Sequence, residues 1–361
     1  MLSQLVDDLV RTLKQMKPRQ LRVVVMPDFF IDRFVTYQGS SKQFSAAVAK
    51  VAERRGGNIH GIKQMELRGG NAANTAAALA SLGARVYPVI TTDALGLHFL
   101  EFYLKPLGVD LSHTKSDGKV GLTTAVEVAD GRERINVMMG DLGSLPVFGP
   151  KDLAEKDFTL LRQADYVGVF NWAATRKWGS ELAERVFRYV KEEGEGKTYF
   201  DSGDPTPNKM NIPKLVRSVL KTRLLDVLSV NENEAYQYAS HFDKSVRPLR
   251  SKADRSEVAK ECARILAKNL TARVDLHTTA FSGSFTGQSE VVVPSFSVKP
   301  LRSTGAGDAW NAGNLFGDAL GLSGSCRLML ANSVAAYYVS SPRAEHPTLP
   351  RLIEFCQRAN G

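Results

Sequence analysis

The sequence is poor in cysteine. The three that it contains, Cys262, Cys326 and Cys356, are odd in number, widely spaced and without a Cys-x-x-Cys pair. This argues against both a disulfide framework and a zinc site, because each needs cysteines at a suitable spacing. The cysteine content instead fits a protein of the reducing cytoplasm.

Residues 1–20 lack an uninterrupted apolar stretch. Leucine and valine repeat there at helical spacing, but Asp7, Asp8, Arg11 and Lys14 interrupt them. A secretory signal or a membrane span needs a continuous apolar segment. We therefore expect an extra amphipathic helix at 1–20, a cytoplasmic location and no contact with a membrane.

A glycine fingerprint is missing after the first apolar run, 21–25. The sequence continues there with Pro27, Asp28, Phe29 and Phe30. A dinucleotide-dependent oxidoreductase would need a Gly-x-Gly-x-x-Gly turn at this point. The sequence therefore argues against that class of enzyme.

Aromatic residues are missing from the densest basic run, 247–255. A nucleic-acid surface commonly interleaves aromatic and basic side chains, so we interpret the run as a solvated loop and expect no nucleic-acid partner. The net charge of +9 and the pI near 9.4 also suit an enzyme that binds phosphates. Hydrophobic residues at 43% and charged residues at 24% allow a sizeable globular core.

Polar side chains recur at the ends of the predicted strands. Asp28, Asn171, Asp201 and Asn231 each end or closely follow a run of β-branched or aromatic residues. Ligands of open α/β sheets bind beyond the carboxyl ends of the strands. We predict a doubly wound sheet with a site along that edge, built from strands at 21–25, 85–90, 166–170, 198–201, 225–230 and 290–296.

The stretch 302–313, with the sequence RSTGAGDAWNAG, organises the remaining prediction. Gly305 and Gly307 allow a tight turn, and the apolar residues after Asp308 predict a buried helix. The free N–H groups of such a turn and the helix dipole make an anion site, where Asp308 could take the proton of an attacking hydroxyl. Taken alone, the stretch is equally compatible with a capped turn in which Asp308 is an N-cap.

A second glycine-rich stretch, 67–76 with the sequence LRGGNAANTA, lies far upstream. Together the two stretches resemble the paired signatures of the PfkB carbohydrate kinase family, the ribokinase-like kinases, and the likeness runs from about 23 to 338. The resemblance implies a single domain over 1–361, with a three-layer α/β/α doubly wound sheet and a small β-rich lid. The lid would comprise 33–66 and 112–140, and the second segment would contain a hairpin at 120–139 that turns at Asp130 and Gly131.

The resemblance also implies an activity. It predicts a magnesium-dependent kinase that transfers the terminal phosphoryl group of a nucleotide, ATP in the first instance, to a hydroxyl of a sugar or nucleoside. Asp308 would be the base, and the N–H groups of Gly305, Ala306 and Gly307 would hold the developing charge. Glu234, in the pattern Asn231-x-x-Glu234, would organise Mg²⁺ through water, although helix capping alone could explain that pattern.

Further positions match the binding residues of the family. Those implied to bind the acceptor are Asp32, Gly69, Gly70, Asn71, Asn74, Asn136 and Arg302. Those implied to bind the nucleotide are Asn231, Thr279, Gly283, Thr304 and Asn332. Without the resemblance, the sequence favours a turn at Asp32 in which the side chain bonds to its own backbone.

The chain departs from its relatives at two places. Residues 37–64 contain a predicted helix at 44–55 where the family has a short lid strand. Arg302 stands where many sugar kinases have an aspartate that helps hold a monovalent cation, and a guanidinium cannot ligate one, so potassium activation is doubtful.

Several alternatives remain open from the sequence. Arginine is a good partner for phosphate, so Arg302 makes a phosphorylated sugar an alternative acceptor. ADP is an alternative to ATP as the phosphoryl donor. A regulator that binds sugar or nucleotide without turnover is the rival of another class, although the joint presence of Asp308, Gly305, Gly307 and Glu234 argues against it. The resemblance also allows a homodimer formed through the lid.

Overall fold

The computed structural model describes residues 2–16, 20–130, 133–246 and 254–359, apart from the side chains at 129, 130, 133 and 134. Gly131 of the predicted hairpin turn and residues 247–253 of the basic run lie outside the described residues. Among the described helices, none combines the length and the apolar character that crossing a membrane requires.

The main sheet explains why the buried runs of the sequence are so apolar. Within the described chain it has eight strands in the order β12-β11-β10-β9-β8-β7-β1-β4, parallel except for the β10–β11 and β11–β12 pairs. A parallel sheet is covered on both faces, so its strands carry few polar residues. The strands are β1 Arg22–Met26, β4 Arg85–Pro88, β7 Tyr166–Phe170, β8 Lys197–Asp201, β9 Val227–Val230, β10 Arg273–His277, β11 Phe281–Phe285 and β12 Glu290–Pro294.

Helices cover both faces of this sheet and bury a separate apolar cluster on each. One face carries α1 Leu2–Gln15, α3 Asn71–Ser81, α4 Ala94–Leu104, α10 Ala306–Ala319, α11 Gly324–Ser340 and α12 Leu349–Ala359. The other carries α5 Glu155–Gln163, α6 Gly179–Glu193, α7 Ile212–Leu215, α8 Glu232–Phe242 and α9 Arg255–Asn269. The predicted three-layer α/β/α architecture is confirmed, and a helix is present at the amphipathic segment near the start of the chain.

The lid is a second, four-stranded sheet in the order β3-β2-β5-β6. Its strands are β2 Phe30–Tyr37, β3 Lys63–Gly69, β5 Gly121–Asp130 and β6 Glu133–Asp141. The predicted departure at 37–64 is α2 Ser41–Glu53, which is inserted between β2 and β3 and starts with a capping box of Ser40 and Gln43. The lid strands β2 and β3 therefore flank the insertion. The sequence pattern did not predict β3, because KQMELRG has no β-branched residue.

Candidate active site

The loop before α10 requires glycine at position 305. Gly305 is the N-cap of α10 and has φ of 84°, in the left-handed region. A Cβ atom there would lie 2.7 Å from the Tyr338 hydroxyl, so a larger residue would be excluded by both backbone strain and a clash. The tight turn expected at 302–307 is thus enforced by contact with α11.

Two N–H groups of this loop are available to a ligand. Among the described residues, the N–H groups of Gly305 and Gly307 have no hydrogen-bond acceptor, and both lie at the positive end of α10. The N–H of Ala306 instead donates to the Ser303 carbonyl at 3.2 Å. This corrects the expectation for Ala306, because the turn already uses the N–H that was expected to face an anion.

Asp308 is buried in the first turn of α10 and is held by one side chain. Asn74 Nδ2 donates to Asp308 Oδ2 at 2.9 Å. Burial raises the pKa of Asp308 well above its usual range; the Asn74 hydrogen bond lowers it, and the charge of Asp201 raises it further. A carboxyl group in these surroundings takes up a proton far more readily than a solvated aspartate does, as a general base requires. Asn74, predicted to bind the acceptor, is in the structure the residue that positions Asp308.

The loop separates two cavities at the carboxyl edge of the main sheet. A cavity of about 560 Å³ lies beneath the lid, and Asn74, Arg302 and Thr304 are among its lining residues. A second cavity of about 460 Å³ lies on the other side, lined partly by Ser303, Ala306 and Gly307. We call these the lid cavity and the outer cavity.

Asp32 is positioned in the lid cavity by the absence of a side chain at Gly69. A Cβ atom on Gly69 would lie 2.2 Å from Asp32 Oδ2, so the carboxylate packs directly on the glycine. Burial raises the pKa of Asp32 to about 6, a hydrogen bond with Thr123 lowers it, and the charge of Asp28 raises it. A buried carboxylate facing a cavity is a strong acceptor for ligand hydroxyl groups.

Gly70 and Asn71 contribute to the packing and capping of the start of α3. A Cβ atom on Gly70 would lie 2.8 Å from the Phe29 Cα, and the N–H of Asn71 donates to Asp28 Oδ2 at 2.8 Å. Asp28 therefore caps the start of α3, and Gly70 permits close packing against the chain itself. The structure thus gives Gly70 a packing role and Asn71 a capped backbone, while their contact with an acceptor stays a prediction.

Asn136 lies further from the site than expected. It is exposed on β6, the edge strand of the lid, and pairs with Glu127 of β5. The register places both on one face, but of the two only Glu127 is among the described residues that line the lid cavity. Asn136 is thus outside the lining of the lid cavity, and its contact with an acceptor stays a prediction.

The outer cavity contains most of the predicted nucleotide residues. Asn231, Thr279 and Asn332 line it, together with His277 and Trp310. The Asn332 amide is fixed there, since its Nδ2 donates to the Pro294 carbonyl at 3.0 Å and its Oδ1 accepts from Trp310 Nε1 at 2.9 Å.

Two predicted nucleotide residues lie elsewhere. Gly283 is in the middle of β11, where a Cβ atom would lie 2.5 Å from the Phe285 ring, so it serves packing within the sheet. Thr304 lines the lid cavity and not the outer one. The loop turns between Ser303 and Thr304, which directs neighbouring residues to opposite sides.

Asp201, Glu234 and His277 form a cluster at the edge of the outer cavity. One ligand atom from each lies within 4.8 Å of the others, so within the described chain these residues could hold a metal ion. Burial raises the pKa of both carboxyl groups, and burial lowers that of His277 to about 4, which leaves a neutral ring. His277 Nε2 is buried without a hydrogen-bond partner. Two carboxylates suit Mg²⁺, so the cluster fits a divalent cation.

Arg302 contacts backbone carbonyl groups. Its Nη1 donates to the carbonyl of Ser341, and its Nη2 donates to that of Pro342 at 3.1 Å. The guanidinium also lies 5.8 Å from the centre of the Tyr338 ring. The hydrogen bonds of the Arg302 guanidinium therefore link the loop before α10 to the segment after α11.

A larger cavity, of about 780 Å³, lies at a different edge. It is lined by Asp165, Tyr166 and Lys197, at the amino ends of β7 and β8. In open α/β sheets ligands bind at the carboxyl ends of the strands, so we place the site there despite the smaller volumes.

The Asn74 contact gives a testable expectation. Asn74→Ala removes the hydrogen bond that lowers the pKa of Asp308, so that pKa rises further. Because the base works only when ionised, the acid limb of the pH–rate profile moves to higher pH. Thr75→Val is the matched control, since the Thr75 hydroxyl donates to the Asp308 backbone carbonyl, at 3.4 Å, and not to its carboxylate. Coincident acid limbs in Asn74→Ala and the parent would contradict this positioning role.

Comparison with known proteins agrees with this geometry. The model of the pfkB family carbohydrate kinases matches residues 43–351, which is most of the chain. The chain belongs to the pfkB family of carbohydrate kinases. This pfkB-family protein is therefore a phosphotransferase with an alcohol group as acceptor. No curated protein matches the sequence.

Solved structures show the same fold at low sequence identity. Adenosine kinase from Sinorhizobium meliloti has a TM-score of 0.69 and 19% identity, covering 95% of this chain and 100% of its own. Ribokinase from Arabidopsis thaliana, complexed with ribose and ATP, has 0.68 and 18%, covering 94% and 99%. Fructokinase from Xylella fastidiosa, with bound ATP, has 0.67 and 18%, covering 94% and 99%. At these identities the likeness establishes the fold of the pfkB-family protein alone.

Proposed function

We propose that the protein is a kinase that transfers the terminal phosphoryl group of ATP, with Mg²⁺, to a hydroxyl of a sugar or nucleoside. The observation that carries this proposal is the position of Asp308 in the first turn of α10, directly after a loop whose residues line two different cavities. Two ligands could approach the loop from opposite sides, as a direct transfer between them requires. The lid cavity would hold the acceptor and the outer cavity the nucleotide.

The chain contributes three functions to this transfer. Asp308 takes the proton of the acceptor hydroxyl as the oxygen attacks phosphorus. The N–H groups of Gly305 and Gly307, at the start of α10, donate to the charge that develops on the phosphoryl oxygens. Asp32, buried beside Gly69, accepts hydrogen bonds from the other acceptor hydroxyls and orients the ligand.

Asp201, Glu234 and His277 are the residues that would hold the metal ion. A divalent cation supplies charge neutralisation for the phosphates of a bound nucleotide. The sequence had pointed only to Glu234, acting through water. Asp201 and His277 extend that proposal, because they place a second carboxylate and a neutral imidazole nitrogen within 4.8 Å.

The metal proposal predicts the behaviour of Glu234→Gln. We expect the Mg²⁺ concentration for half-maximal activity to rise about tenfold or more, because one carboxylate of the cluster loses its charge. Glutamine can still complete the capping box with Asn231, so the fold of α8 is retained. Glu232→Gln removes a charge from the same helical turn outside the cluster and should have a smaller effect. An Mg²⁺ titration that overlays that of the parent would leave Glu234 with a capping role only.

The function as a whole is tested by an acceptor screen. Neutral sugars, nucleosides and phosphosugars would be offered with Mg²⁺ and either ATP or ADP, and phosphorylated product would be measured. Product from a sugar or nucleoside with ATP supports the proposal. Product only from phosphosugars, or only with ADP, would favour the alternative acceptor or donor, and no product from any pair would contradict it.

A homodimer through the lid remains part of the proposal. The edge strand β6 exposes Ile135, Val137, Met138 and Met139. An exposed apolar edge strand is a common site of pairing between chains, which supports this arrangement.

A further inference from the structure

Arg68 is a half-buried cation that has a fully buried Nε and no counter-ion among the described residues. It is next to Gly69 at the end of β3 and lines the lid cavity with Asn74 and Tyr338. Its Nε is buried and has no hydrogen-bond partner. Within the described residues, no carboxylate lies within ion-pair distance of the guanidinium; Tyr103, Tyr338 and Asp308 are the groups that act on its charge.

This arrangement is unfavourable unless a ligand binds the guanidinium. Burial lowers the pKa of Arg68, which reflects the cost of removing its charge from water. A buried charge is normally paired, and an arginine offers five N–H donors in a planar fork. Asp308 acts on the charge of Arg68 but does not pair with it, because its carboxylate lies beyond ion-pair distance and instead accepts from Asn74 Nδ2.

The other cations around the lid cavity are accounted for. Arg302 donates to backbone carbonyl groups of the segment after α11. Lys63 is exposed, so water can solvate its charge. Among the described cations that line this cavity, Arg68 is thus the one with a buried nitrogen, Nε, that has no hydrogen-bond acceptor.

We propose that the acceptor carries an anionic group, a carboxylate or a phosphate, which binds the guanidinium of Arg68 in the lid cavity. Two oxygens of either group match the arginine fork and would satisfy Nε together with one terminal nitrogen. Asp32 and Asp308 repel an anion, so the charged end of the acceptor binds at Arg68 and a hydroxyl end faces Asp308. This inference rests on the proposed kinase function and narrows its substrate class.

The test compares sugars that differ in one group. D-Glucose, D-glucuronate and D-glucose 6-phosphate form one series, and D-ribose and D-ribose 5-phosphate form another. Binding is measured by calorimetry with a non-hydrolysable ATP analogue and Mg²⁺, so no turnover is needed. We expect at least one anionic sugar to bind about tenfold or more tightly than its neutral counterpart, and the carboxylate and phosphate arms show which anion fits.

Arg68→Met should remove that preference, weakening the anionic sugar about 10- to 100-fold while the neutral sugar changes little. Arg68→Lys keeps the charge without the fork and should fall between the two. Arg33→Met is the matched control, because Arg33 is an exposed arginine of the neighbouring strand that pairs with Glu66 at 2.9 Å. An anion preference that is absent from the parent, or that survives in Arg68→Met, overturns the inference.

Thermal stability distinguishes an anion-binding Arg68 from a purely structural one. A cation with a buried, unpaired donor destabilises the free protein, so Arg68→Met should raise the melting temperature without ligand; a purely structural arginine would lower it. The acceptor screen tests kinase activity independently. Turnover of neutral sugars without anion preference overturns the role of Arg68 alone, whereas anion binding without any turnover contradicts the kinase function alone.

Discussion

Asp308→Asn is expected to lower turnover by about 10²-fold or more while nucleotide affinity stays within about a few-fold of the parent. Asparagine keeps the size of the side chain but cannot accept a proton from the acceptor hydroxyl. The asparagine amide oxygen can still accept the hydrogen bond that Asn74 Nδ2 donates to Asp308 Oδ2 at 2.9 Å, so the substitution affects the chemistry and not the fold of the loop. Steady-state kinetics with a nucleotide-binding assay measure the two effects separately.

A matched control is available at Asp204. This aspartate is exposed beyond β8, where its Oδ1 accepts from Asn233 Nδ2 at 2.9 Å. Asp204→Asn removes a charge from the same edge of the sheet without touching the loop before α10. Turnover near that of the parent in Asp204→Asn and in a folded Asp308→Asn alike would rule out Asp308 as the base.

Arg302→Ala is expected to depress activity with all acceptors together, by about tenfold or more. Hydrogen bonds to a charged group contribute roughly 1.5–3 kcal/mol, and this guanidinium binds the carbonyl groups that position the loop against the segment after α11. Removing it leaves those carbonyls without a cation. Added potassium should partly restore activity, because a monovalent cation can be ligated by backbone carbonyl groups.

If Arg302 instead binds a phosphate of the acceptor, Arg302→Ala would lower activity with phosphorylated acceptors only. The sequence predicts a phosphate partner at Arg302, whereas the carbonyl contacts support a second role, in which the guanidinium itself takes the place of a bound cation. Comparing phosphorylated and neutral acceptors on Arg302→Ala distinguishes them. Loss confined to phosphosugars, with no response to potassium, would restore the phosphate role and place the anionic group at Arg302 instead of Arg68.

The sequence determined the main architecture because local patterns carry that information. The valine-rich run at 21–25 predicted a strand buried on both faces, which the structure has at Arg22–Met26, and the runs of this type predicted the sheet. The glycines and small residues of 302–313 determined a tight turn followed by a buried helix. The sequence also predicted the helix inserted at α2, because its alanine-rich segment and the glycines that follow it, Gly56 and Gly57, are local features.

Local patterns were less informative where polar residues or weak strand formers occupy an element. β3 was missed because KQMELRG has little strand propensity, and its pairing with β2 supplies the hydrogen bonds that make it a strand. The sequence placed Thr304 and Gly283 at the nucleotide, whereas Thr304 lines the lid cavity and Gly283 packs within β11. A motif shows that a residue is near a site but not which way it faces.

Only the tertiary structure decided which side chains meet. Asn74 and Asp308 are 234 positions apart, and their hydrogen bond exists because α3 and α10 pack on the same face of the sheet. Asp201, Glu234 and His277 come from three elements and converge because the carboxyl ends of β8, β9 and β10 are adjacent. The isolation of Arg68 is a property of its surroundings, since the sequence shows an arginine before two glycines and not which groups lie near it in space. Periodicity fixes the face on which a residue lies, whereas the identity of its neighbour depends on how separate elements pack.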